Sequence, residues 1–106
     1  MKQISLGRIE IPQGGVLQLQ QNVDCAMVLI QKEPQFTNDM YVTVSVSNTP
    51  IPYQECIDTG VLIQDAMLPI TVWCGNTNQI HIASPNSPGP YNEGNNVVRI
   101  FAVVNA

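Results

Sequence analysis

The chain has 106 residues, of which 44% are hydrophobic and only 11% charged, against about 25% charged in an average soluble domain. Four cations against eight acids leave a net charge of -4, a balance that excludes a nucleic-acid binder, which needs a cationic footprint on the phosphates. The length supports a single domain over residues 1–106 with a real core, and it excludes a TIM barrel or a two-domain nucleotide enzyme.

The first predicted strand runs from Gln3 to Ile11. Ile4 and Leu6 share one parity, Ile9 and Ile11 the other. The switch falls at Gly7, so a bulge there returns both sets to one face. Pro12-Gln13-Gly14-Gly15 is turn chemistry, and Val16 to Gln20 is the next strand. Cys25 to Gln31 opens on six apolar residues in a row. Such a run is a doubly covered strand or a short helix, and its length favours the strand. Met40 to Asn48 is the clearest segment. Met40, Val42, Val44 and Val46 alternate with Tyr41, Thr43, Ser45 and Ser47, which sends one face to a core and an uncharged face to water or a partner.

Pro50 and Pro52 exclude a central strand over Thr49–Glu55. Glu55 to Met67 has room for a short turn of helix, limited by Gly60 and Val61. Gly60–Gln64, Ile70–Cys74, Gln79–Ala83 and Val97–Val104 complete the set of strands, with Gly75-Asn76-Thr77-Asn78 predicted as a hairpin loop. Residues 84–96 hold three prolines, two glycines and four asparagines and are expected to protrude as a loop. One strand per roughly 13 residues is the rhythm of an all-β domain. The predicted fold is a single antiparallel β-sandwich, or jelly-roll-like domain, of about eight strands.

Polar character comes from amides rather than ions. Ten Asn and ten Gln stand against twelve charged side chains. Neutral amides are cheaper to bury than ions, and depletion of charge marks the middle of protein interfaces. The composition therefore fits either an amide-rich monomer or a surface that packs against copies of itself or a larger host.

No stretch reaches the roughly 18–20 apolar residues of a membrane span, so no membrane partner is expected. The first residues lack the apolar core of a secretory signal, which points to synthesis in a cytoplasm. Cys25, Cys56 and Cys74 are odd in number and form no C-x-x-C pair, so free, mostly buried thiols are expected rather than a disulfide framework or a zinc site.

Chemistry is hard to assemble from these residues. The lone histidine, His81, sits between Ile80 and Ile82; with those two facing the core, His81 is expected on the surface. Asp58 and Asp65 read as turn residues, and Glu55 with Asp58 is not a separated glycosidase pair. Phosphate-loop, calcium-loop and dinucleotide fingerprints do not occur. No catalytic residue, metal site or cofactor is predicted, and the chain is read as a non-enzyme. Trp73 is expected in the core. Tyr53 beside Pro52, and Tyr91 in Pro88-Gly89-Pro90-Tyr91-Asn92, are the better candidates for exposed aromatics. A tyrosine among prolines offers rigid, amphipathic contact area at low entropy cost.

The run from Tyr41-Val42-Thr43-Val44-Ser45-Val46-Ser47-Asn48 through Gly60-Val61-Leu62-Ile63 and Pro69-Ile70-Thr71-Val72 continues in Gln79-Ile80-His81-Ile82-Ala83. It closes on Val97-Val98-Arg99-Ile100-Phe101-Ala102-Val103-Val104. Over residues 40–104 this order resembles small β-sandwich decoration, cement or head-surface proteins of tailed-phage virions. In that pattern an I-x-I-A/G strand and a loop precede a terminal V-R-I strand. The thirteen-residue loop here departs from the short Gly/Ser turn usual at that point. The resemblance implies a bacteriophage structural protein that is made in the host cytoplasm and located in the virion. It would bind capsid protein non-covalently through loops and strands.

A homo-oligomer is expected, with a trimer the commonest form, and Pro52, Tyr53, Pro88, Pro90, Tyr91 and Asn92 as protein-binding residues. The rival from another class is a carbohydrate-binding or receptor-adhesion module that stacks rings on Tyr41, Trp73 or Tyr91. If the proline–tyrosine loop is a contact arm, Tyr91→Ala weakens assembly in light scattering and leaves the unfolding transition of the domain unchanged.

Overall fold

A computed structural model of the chain describes residues 1–33, 41–64, 68–84 and 96–105. The strands are β1 (Lys2–Ile11), β2 (Val16–Gln18), β3 (Met27–Lys32), β4 (Tyr41–Val46), β5 (Val61–Gln64), β6 (Ile70–Trp73), β7 (Ile80–Ala83) and β8 (Asn96–Val104). Among the described residues a single α-helix, α1 (Tyr53–Thr59), lies between β4 and β5, and a 3-10 turn (Thr77–Gln79) precedes β7. Two sheets result, ordered β1-β8-β3-β6 and β2-β7-β4-β5, with every neighbouring pair antiparallel. The chain changes sheet at every connection except β4 to β5. That winding is the two-sheet order of an eight-stranded jelly roll, as the strand rhythm led us to expect.

The core lies between the sheets. Ile11, Val28, Ile30, Val98 and Ile100 from one sheet meet Val42, Val44, Ile63, Ile80 and Ile82 from the other. The parity switch in β1 is resolved at Gly7. Its φ is +88°, and the pairing with β8 shifts register between Ser5 and Arg8. With that extra residue absorbed, Leu6, Ile9 and Ile11 all pack on the core. The apolar run after Cys25 forms β3, flanked by β8 and β6.

Four expectations fail, and the first two fail because of what lies on the far side of a strand. His81 is buried, 2% exposed, instead of lying on the surface. The cause is α1, which packs across β4 and β7 on the face of the second sheet opposite the core. Cys56 is the buried residue of the helix. Its Sγ lies 3.7 Å from Thr43 Oγ1, and the S–H faces the backbone carbonyls of Thr43 at 3.8 Å and His81 at 3.9 Å. One thiol thus spans two adjacent strands, and Thr43, on the polar face of β4, is covered as well.

Trp73, expected in the core, is 69% exposed. Val72 takes the inward position and packs on the core, while the outward face of β6 at Trp73 is bare. Gly75–Asn78 is also no hairpin, since β6 and β7 belong to different sheets and the segment crosses between them.

Amides organise that crossing. Asn76 accepts from the Asn78 N–H at 2.9 Å, while Gln79 Oε1 accepts from the N–H groups of Gly75 at 2.7 Å and Asn76 at 3.2 Å. Asn76 Nδ2 donates to Asn22 Oδ1 at 2.7 Å and Asp24 Oδ1 at 2.9 Å. Thr77, fully buried, exchanges backbone and hydroxyl hydrogen bonds with residues 21–23. Part of the amide-rich composition is therefore spent within the chain, on turns.

Asp58, expected in a turn, is helical and accepts from Gln54 Nε2 at 3.0 Å, one helical turn away. Helix α1 begins after Pro52, whose carbonyl accepts from the Cys56 N–H at 3.0 Å, and it ends at Gly60. A Cβ on Gly60 would sit 2.5 Å from the Cys56 carbonyl oxygen and 2.9 Å from Ser45 Oγ. Close approach, not backbone freedom, requires glycine here. Gly60→Ala is expected to cost about 2–3 kcal/mol in urea denaturation through overpacking. Gly7→Ala meets open space and strains only a positive φ, for about 1 kcal/mol.

Candidate functional site

A sandwich that does not close leaves edge strands, and the two flanks here differ. On one flank β1 carries Lys2, Arg8 and Glu10 and is bent by its bulge, while β2 is only three residues long. Charge, bulges and shortness are the usual guards against further strand pairing. On the other flank β5 (Val-Leu-Ile-Gln) and β6 (Ile-Thr-Val-Trp) carry no charge at all.

Between β5, β6, the end of β4 and the start of α1 lies a cleft of about 590 Å3. Its apolar lining includes Val46, Ile51, Val61, Ile70 and Trp73, and Ser47, Thr49, Thr59 and Thr71 are hydroxyl-bearing residues along it. Val61 is 60% exposed and Val46 46%; Leu62, on the same edge strand, is 39% exposed. Together with Trp73 and Met1 these are the exposed large hydrophobic residues among the described part of the chain. Four of the five therefore belong to β4, β5 and β6, so the exposed large apolar side chains gather toward this flank.

The electrostatics are simple. Glu55 is the ionisable side chain lining the cleft. The four cations lie on β1, β3 and β8. Arg99 is engaged there by Glu33 in a two-pronged pair, Nε to Oε2 at 2.8 Å and Nη2 to Oε1 at 3.2 Å. Glu33 is itself buried, so the guanidinium neutralises a carboxylate held out of water.

Of the residues predicted for binding, Pro52 is exposed and caps α1, and Tyr53 is half-buried at its first position. Both stand between Ile51 and Glu55, which line the cleft. Pro88, Pro90, Tyr91 and Asn92 lie outside the described residues, as does most of the expected 84–96 loop. Sequence reasoning missed Val46, Ile51, Val61 and Leu62. Their signal was the uncharged Val61-Leu62 pair after Gly60, which reads as a strand but not as an edge.

The imidazole of His81 is enclosed under α1. Its Nδ1 is 3.1 Å from the Gln79 carbonyl oxygen, and Nε2 has no partner. Ser45, directly across the β4–β7 ladder, likewise has a buried, unpartnered Oγ. Cys56 Sγ is held on backbone carbonyls rather than on the ring. Among the described residues no three His, Cys, Asp or Glu side chains gather as a metal site, and no helix is long and apolar enough to cross a membrane.

The single tryptophan makes the exposure of this flank directly measurable. Trp73 emission is expected to be water-like, strongly quenched by acrylamide, and little shifted when the protein unfolds; a blue, protected emission would mean that the flank is covered. No family model matches the chain, and no curated protein or solved structure matches it either.

Proposed function

We propose that this domain is a structural virion protein that decorates or cements a phage capsid, and that it grips capsid protein with the β5–β6 flank. The observation that carries the reading is the concentration of exposed Val46, Val61, Leu62 and Trp73 on β4, β5 and β6, with Val46, Val61 and Trp73 lining one cleft. Burying a large apolar side chain is worth roughly 1.5–3 kcal/mol, so a small patch of this kind binds weakly by itself. Repetition over many copies turns weak contacts into firm attachment, because each later contact is effectively intramolecular. Self-association into an oligomer such as a trimer would supply that repetition. The resemblance over residues 40–104 supports the virion setting, and jelly rolls recur in capsid proteins, although a fold by itself assigns no function.

A second reading rests on Trp73. An exposed indole beside a cleft lined by serine and threonine hydroxyls is the arrangement that stacks and hydrogen-bonds a sugar ring, and lectins also use jelly rolls.

Light scattering and co-sedimentation with expanded phage capsids test the first reading. An oligomer, or a species that binds capsids at micromolar concentration, is expected. Val61→Lys and Trp73→Ala should weaken binding at least tenfold while stability stays within about 0.5 kcal/mol. A monomer that ignores capsids, and whose tryptophan fluorescence responds to glycans, would replace it with the second reading.

A further inference from the structure

The strand pair β3–β6 continues past its nominal ends. The Cys25 N–H donates to the Gly75 carbonyl at 3.1 Å, the Cys74 N–H faces the Ala26 carbonyl at 3.4 Å, and Asp24 bridges Asn76. This ladder holds the two cysteines beside each other although 49 positions separate them in sequence. Their Sγ atoms are 3.6 Å apart, both are free, and both are half-buried. A disulfide needs the sulfurs about 1.5 Å closer. The adjoining backbones are already hydrogen-bonded to one another, so side-chain rotation can supply most of that movement.

Access is one-sided. A cleft of about 260 Å3 is lined by Asp24, Cys25, Ala26, Gly75 and Asn105, so it opens on Cys25 and not on Cys74, although both cysteines pack against the core.

We propose that Cys25 and Cys74 form a two-thiol oxidation site at which a peroxide converts the pair into an intrachain disulfide that locks the end of the β3–β6 ladder. Cys25 sulfur attacks the peroxide. An S–O bond forms, the O–O bond breaks, and the leaving hydroxide takes up the Cys25 thiol proton as water. Cys74 sulfur then attacks the Cys25 sulfenic acid. The S–S bond forms, the S–O bond breaks, and the departing hydroxide leaves as water with the Cys74 proton. Two thiols are oxidised by two electrons, and one peroxide is reduced to two waters.

The division of roles agrees with the environment of Cys74. Burial, and then the hydrogen bond and charge of Cys25, push its thiol up to about 12. It therefore stays protonated at neutral pH, in agreement with the resolving role that follows from the cleft opening on Cys25. Cys56 takes no part, since it is buried beneath α1 on the other sheet. The site is independent of what the β5–β6 flank binds.

The experiment treats the folded protein with a few equivalents of hydrogen peroxide, alkylates it in denaturant, and maps the peptides by mass. One alkylated cysteine, Cys56, is expected, together with a Cys25–Cys74 linked peptide in a monomeric chain. Dithiothreitol should reverse the change. The melting temperature should rise by roughly 10 °C or more, because the crosslink closes a long loop in the unfolded chain. In Cys74→Ser the reaction should stop at a Cys25 sulfenic acid that dimedone traps. Three alkylated cysteines, a Cys25 sulfinic acid beside a free Cys74, or crosslinks only between chains would each overturn the proposal.

Discussion

Two four-stranded sheets can each bury one face against the other, and the rest of this molecule follows from what becomes of the faces and edges left over. The shared interior is a layer of Ile, Val and Leu drawn from alternate positions of the strands, and it supplies the main apolar burial of the fold. It makes no demand on the outer faces. On the second sheet α1 covers β4 and β7, which encloses His81 and Thr43. No described element covers the outer position of β6, and Trp73 stands in solvent. The same architecture therefore yields a doubly covered strand and a bare one.

The helix that makes this difference is short, at seven residues. Isolated helices of that length are unstable in water, so its persistence depends on docking. Cys56 carries that docking as a small, weakly polar side chain able to sit on two strand carbonyls without needing a full set of partners. Gly60 allows the helix to end directly against β4. The contact leaves His81 Nε2 and Ser45 Oγ buried and unpaired, a local cost that the surrounding β4–β7 packing sustains.

Scarcity of charge shapes the exterior. The pairing of buried Glu33 with exposed Arg99 ties the end of β3 to β8, and the remaining cations also lie on the β1-β8-β3-β6 sheet. Amides do the work at the crossings that ions often do, as in the Asn22, Asn76 and Gln79 network. What is left on the β5–β6 flank is an apolar cleft without a cation, edged by two short strands that carry no charge. That uncharged, apolar character is the physical basis of the attachment to other protein proposed above.

The sequence by itself determined the strands, the sandwich class and the bulge at Gly7. Each of these is written in local alternation and turn chemistry, and Ile4, Leu6, Ile9 and Ile11 carry the parity switch for any reader to see. Only the tertiary structure decided which second faces are covered, which strands are edges, and which distant side chains meet. His81 and Trp73 show the limit. Both alternate correctly with inward neighbours, yet one is enclosed and the other exposed, because α1 docks over β7 and no described element docks over Trp73. The same holds for Gly75–Asn78, where turn residues fit a hairpin and a sheet crossing equally well, and for Cys25 with Cys74, whose contact arises from strand order. Period-two patterning records the direction of a side chain, whereas cover and adjacency are set by elements far away along the chain.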